Sequence, residues 1–239
     1  METGAVAKFP DTHWSMVLGA RGIGPPSRAA LETLCTTYWP PLYAFARRDG
    51  ASPEASADAV QGYLARLLSR GDLEVVTPER GRFRSYLLAG FRNFLVSQAR
   101  RDQAEKRGGR EETFSLDTIE GERLVASELR DDLSPEVAFD RRWAQTVIDR
   151  ALFRLENENV ARGRGEQFEL LKPTLSGELP SGYGRLGQRM GLSEGAVAVA
   201  IHRLRSRLRE IVRLEVAQTV GTESDLDEEL RYLLAVWSE

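Results

Sequence analysis

The sequence predicts an all-α protein in which two small helical domains are joined by an acidic linker, the second containing a helix-turn-helix. Three observations predict it. Apolar residues recur at helical spacing along most of the chain, and no segment alternates in the two-residue period of a half-buried strand. The pairs Ser52-Pro53 and Ser134-Pro135 put a capping hydroxyl and a pre-set φ where apolar stripes begin. The formal net charge of −3 conceals blocks of opposite sign: +7 over 80–110, −8 over 111–140, +5 over 185–213 and −6 over 214–239.

Residues 1–26 read as an N-terminal extension, with aromatics around a capping Thr12. The first domain is expected over 27–110. Its opening stripe, Ala29, Leu31, Leu34, Tyr38, Leu42, Phe45 and Ala46, ends at Asp49-Gly50, and Pro40-Pro41 should kink or interrupt it. Ser52 then caps a helix with the face Ala55, Ala59, Val60, Tyr63, Leu64, Leu67 and Leu68, stopped by Gly71. A third helix runs from about Phe83 to Glu105, before Gly108-Gly109. Residues 111–133 are acidic without a sustained apolar face, which marks a linker. The second domain, 134–215, opens on Ser134-Pro135-Glu136 and carries Val137, Phe139, Trp143, Val147, Ala151, Leu152 and Leu155 to a break at Gly163 and Gly165. A short helix over Phe168 to Leu175, a turn-rich loop and a helix pair about Gly191 follow. Residues 216–239 form an acidic amphipathic helix on Leu226, Leu230, Leu233, Leu234 and Trp237.

Composition bounds the function. With 239 residues, 41% hydrophobic and 29% charged, the chain is sized for one or two globular domains. The most apolar window, Tyr86 to Val96, is cut by Arg92 and Asn93, far short of the about 18 apolar residues of a membrane helix. No secretory signal opens the chain, and a single cysteine, Cys35, rules out a disulfide framework, so a soluble, cytoplasmic protein away from membranes is expected. His13 and His202 are the only histidines and lack carboxylates at ligand spacing, so no metal is expected. There is no phosphate loop, and Gly22-Ile23-Gly24 runs into Pro25-Pro26, which is wrong for a dinucleotide turn. Neither an enzyme nor a cofactor is expected.

The basic blocks suit a polyanion, and nucleic acid is the commonest in a cytosol. Two helices that cross closely need a small residue in the first, a glycine at the turn and apolar anchors at fixed offsets. Gly187, Gly191 and the set Leu186, Met190, Leu192, Val197 and Ala200 supply them, and Ser193 is placed to cap the second helix. The exposed start of that helix would enter a major groove through Ser193, Glu194, Ala196, Val199, His202, Arg203 and Arg205. Arg207 and Arg209 continue its run of arginines.

On these residues the chain resembles the bacterial RNA polymerase sigma factors of the extracytoplasmic-function type, from about Ser27 to Arg213. The run from Asp58 to Leu68 looks like the family's polymerase-docking helix. Ser85 to Asn93 with Arg100-Arg101 looks like its promoter-melting helix, and Tyr183 to Val197 with His202-Arg203 its distal-element reader. The resemblance implies that Asp58, Gln61, Leu64 and Leu68 bind the coiled coil of the largest subunit of core RNA polymerase. It implies that Arg84, Arg92, Arg100 and Arg101 neutralise the promoter DNA strand. Asn93 would hold an unpaired base, with Tyr86 and Phe91 replacing lost stacking. Control by an anti-sigma factor or a Ser/Thr kinase follows as an expectation.

Three departures carry consequences. Gly62 stands where the family has an acidic residue after the docking glutamine, and weakens the helix by about 1 kcal/mol relative to alanine. Phosphorylation of Ser52, Ser56 or Tyr63 would restore that charge. Ser97 stands where the family often has aspartate, and Ala198-Val199-Ala200 replaces the polar run after the turn, leaving thymine-methyl contacts in place of bidentate readout. The alternative is a helix-turn-helix regulator that binds DNA without polymerase.

Overall fold

The computed structural model describes residues 25–69, 82–105, 121–126, 129, 133–178, 182–218, 220 and 222–238. Among the described residues every regular element is a helix, as the spacing predicts. The helices are α1 (Pro25–Arg48), α2 (Pro53–Ser69), α3 (Phe83–Glu105), α4 (Pro135–Ala161), α5 (Gly165–Leu171) with a 3-10 turn Lys172–Ser176, α6 (Gly182–Met190), α7 (Glu194–Ala217) and α8 (Glu223–Ser238). No helix among the described residues is long and apolar enough to cross a membrane.

The chain forms two compact units, 1–146 with 216–239 and 147–215. This boundary departs from the expected one at residue 134: α4 gives its first half to the first unit and its second half to the other. The C-terminal acidic helix belongs to the first unit.

The caps form where the sequence places them. The Ser52, Ser134 and Ser193 hydroxyls accept the backbone N–H of Ala55, Val137 and Ala196 at 3.2, 3.3 and 3.3 Å. Thr222 does the same for Asp225 at 3.2 Å, while its hydroxyl donates to the Asp225 carboxylate. α1 runs through Pro40-Pro41 without the interruption that was one of the two outcomes expected there, and both prolines are buried, next to the buried Leu42, Tyr43 and Ala44.

An aromatic cluster forms the core of the first unit. The Tyr63 ring lies 5.3 Å from Phe91 and 5.7 Å from Phe94, and its hydroxyl donates to the Leu87 carbonyl at 3.0 Å. Gly90 leaves room for that hydroxyl, and Gly62 lets Phe94 approach: a Cβ at Gly62 would stand 3.2 Å from the ring. Glycine at 62 therefore serves the α2–α3 contact, whatever charge it omits.

The expected linker is folded where it is described. Val125 is buried, and a Cβ at Gly121 would lie 2.7 Å from the Trp39 ring and 2.9 Å from Tyr43. Glu122 accepts from the Tyr43 hydroxyl at 2.8 Å and from Arg47 Nη2 at 3.2 Å. The Arg47 bond holds the Glu122 carboxyl below the usual range, and burial followed by the Glu122 bond pushes the Tyr43 phenol up.

In the second unit Ala151, Leu155, Phe168, Leu171, Leu186, Val197, Ile201 and Leu204 form one core. Met190 and Ala200 pack against it, whereas the expected anchor Leu192 is exposed in the turn.

Candidate nucleic-acid interface

The α6–α7 turn is built by stereochemistry. Gly191 sits at φ +65°, a left-handed conformation that side chains disfavour. The Leu192 N–H donates to the Gly187 carbonyl at 2.9 Å, and a Cβ at Gly187 would stand 2.5 Å from the Leu192 carbonyl oxygen. Only glycine allows that approach. Ser193, Glu194, Val199, His202, Arg203 and Arg205 are exposed at the start and along the first turns of α7, with Ala196 half-buried.

The arginines of α7 divide into tethered and open ones. Arg205 donates through Nε and Nη2 to the Thr174 carbonyl, at 3.2 and 2.6 Å, and so tethers the 3-10 turn. Arg207 makes two 2.8 Å bonds to Glu158 and one to Glu210. The Glu158 bonds come first in holding the Arg207 pKa above its ordinary value, and they lower that of Glu158 in turn. Arg203 is exposed and forms no ion pair among the described residues, which leaves it open to a phosphate.

In the first unit the expected residues separate by burial. Asp58 and Gln61 are exposed on one face of α2. Leu64, expected to dock polymerase, is instead buried in the core with Val60, Tyr63 and Leu67, on the flank of α2 next to the exposed face. Leu68 falls outside the residues whose side chains are described. Two of the three expected phosphorylation sites are closed: Ser56 is fully buried and Tyr63 is buried with its hydroxyl bonded, which leaves Ser52 exposed.

On α3, Asn93, Arg100 and Arg101 are exposed. Arg92 is exposed too, paired with Glu136 and 5.4 Å from the Phe45 ring. Such exposed pairs contribute about 0–1 kcal/mol, so the guanidinium can exchange partners at little cost. Tyr86 is half-buried and stacked 6.3 Å from Phe83, and Phe91 is wholly core, so neither ring is free to replace base stacking.

Arg84 is the main correction. Expected on a DNA strand, it is buried, with Nε and Nη2 on Glu229 of α8 and Nη1 on Asp140 of α4. Its guanidinium lies 5.0 Å from the Trp143 ring and 4.3 Å from that of Tyr232, whose hydroxyl donates to Asp140. Burial opposes its charge, but the Glu229 bond and the carboxylates outweigh this and raise its pKa. Arg82 adds bonds to Glu228 and Glu229, each at 3.0 Å. In the sequence the cluster leaves no trace beyond the opposite signs of the 80–110, 111–140 and 214–239 blocks, which do not say which block pairs with which.

Among the described residues no group of histidine, cysteine and carboxylate side chains is arranged to hold a metal. Comparison with family models, with curated proteins and with solved structures gives no match.

Proposed function

We propose that the chain is a sigma factor, which binds core RNA polymerase, directs it to specific promoters and helps to open them. The observation that carries this reading is the α6–α7 turn, where Gly187 and Gly191 set two helices at close approach and leave the N-terminal turns of α7 exposed. Glu194, Val199, His202 and Arg203 face the groove in this reading, and Arg203 anchors on phosphate. Apolar Val199, 49% exposed, meets a thymine methyl where a polar side chain would form hydrogen bonds.

The exposed residues of the first unit complete the reading. Asp58 and Gln61 supply a docking face for the polymerase coiled coil, without Leu64. Arg92, Arg100 and Arg101 neutralise a displaced strand while Asn93 holds a base, without Arg84. No catalysis is required: strand opening is driven by binding.

Co-purification with core RNA polymerase tests it. The wild-type chain is expected to bind stoichiometrically, and Asp58→Lys with Gln61→Lys to bind at least about tenfold more weakly, through like-charge repulsion against a basic partner. Binding to duplex DNA with none to polymerase would instead support a helix-turn-helix regulator.

A further inference from the structure

The second unit holds a cleft of about 180 Å³ between the C-terminal half of α4, the start of α5 and the middle of α7. Buried Leu155, Phe168 and Leu204 form its floor, and Arg162, Arg164, Arg203 and Arg207 stand around it with no carboxylate among the lining residues. Glu158, just outside, is held by two bonds from Arg207. It also meets Arg154 Nε at 3.5 Å, and its charge reaches Arg162 without a bond. Arg162, Arg164 and Arg203 are exposed, and among the described residues none of the three guanidinium groups makes a hydrogen bond or ion pair. Three positive charges thus converge on a concave site with one wall closed by a fixed ion pair.

The size selects among anions. Drug-sized ligands occupy about 300–1,000 Å³, more than this cleft offers, whereas a phosphate or diphosphate group displaces only a few waters of about 30 Å³ each. Guanidinium forks match phosphate oxygens in pairs, and Gln167 on the lining adds a neutral donor. We propose that this cleft is a binding site for a small phosphate-bearing anion, a free diphosphate or the diphosphate head of a nucleotide. Arg162 and Arg164 clamp it from one side and Arg203 from the other. Occupancy draws Arg203 toward the cleft, so the anion competes with any DNA phosphate for that side chain.

Isothermal titration of the full chain with sodium pyrophosphate, at constant ionic strength, tests the proposal without DNA or polymerase, so it stands or falls apart from the sigma reading. Saturable one-to-one binding is expected. Arg162→Gln with Arg164→Gln should weaken it at least about tenfold, since two charge-assisted contacts are lost. Both side chains are exposed, so the melting curve should not move. Tighter binding of a nucleoside diphosphate than of pyrophosphate assigns the nucleotide, and equal binding assigns the bare diphosphate. No saturable heat up to roughly 5 mM, or undiminished binding by the double variant, overturns the site. Loss of duplex affinity in the double variant, without pyrophosphate uptake by wild type, overturns it too and makes the cleft a DNA-backbone contact.

Discussion

Glu229→Gln is the sharpest test of how the first unit is held together. The Glu229 side chain is 0% exposed and meets Arg84 Nε, Arg84 Nη2 at 3.3 Å and Arg82 Nε at 3.0 Å. Glutamine keeps the shape but replaces one acceptor oxygen with an N–H donor that faces guanidinium donors. Breaking a buried ion pair from one side costs about 3–5 kcal/mol. Asp140 still pairs with Arg84, so about 2–4 kcal/mol is expected here. For a chain of this size that lowers the melting midpoint by roughly 5–15 °C, read by circular dichroism. Glu228→Gln is the control: that carboxylate bonds Arg82 at 3.0 Å but is 52% exposed, and its removal should cost under about 1 kcal/mol. A Glu229→Gln midpoint no lower than that of Glu228→Gln would refute the argument.

Gly187→Ala forces a Cβ against the Leu192 carbonyl and should destabilise the second unit by about 1–3 kcal/mol, while Gly195→Ala, with open space around it, should stabilise α7 by up to about 1 kcal/mol; urea midpoints check both. The depressed carboxyl of Glu122 contributes stability that is present above its unfolded value of 4.5 and is lost as pH falls through its lower folded value. Glu122→Gln should therefore flatten the acid limb of a stability–pH curve. Tyr232 runs the other way. Burial first, then its bond to Asp140, raises it from 10.0 to about 12, so its contribution is full below pH 10.0 and is lost as pH rises through about 12. Tyr232→Phe should remove that alkaline loss, measured by circular dichroism across the same range.

What could be read from the sequence was what is decided locally. Ser52, Ser134 and Ser193 cap because a hydroxyl next to a helix start finds a backbone N–H regardless of the rest of the fold. Gly187 and Gly191 were readable for the same reason, since a left-handed turn and a close approach exclude other residues. What needed the fold was burial. Leu64 and Tyr63 share a helix with exposed Asp58 and Gln61, and only the α2–α3 contact decides which face is core. Arg84 and Arg92 look alike in the basic block, yet α8, 145 residues downstream of Arg84, covers one and leaves the other to a surface pair. The cleft around Arg162, Arg164 and Arg203 joins residues from three helices, and no local pattern announces it.

The central claim is that this chain directs polymerase to promoters, and transcription from a defined template tests it most directly. Core RNA polymerase of the native host, supplied with the purified chain and genomic promoter fragments, should yield discrete transcripts that vanish without the chain. They should fall about fivefold to a hundredfold with Arg203→Ala or Asn93→Ala, as each removes about 1–3 kcal/mol of DNA contact. Stoichiometric polymerase and full DNA affinity with no promoter-dependent transcript would contradict the account.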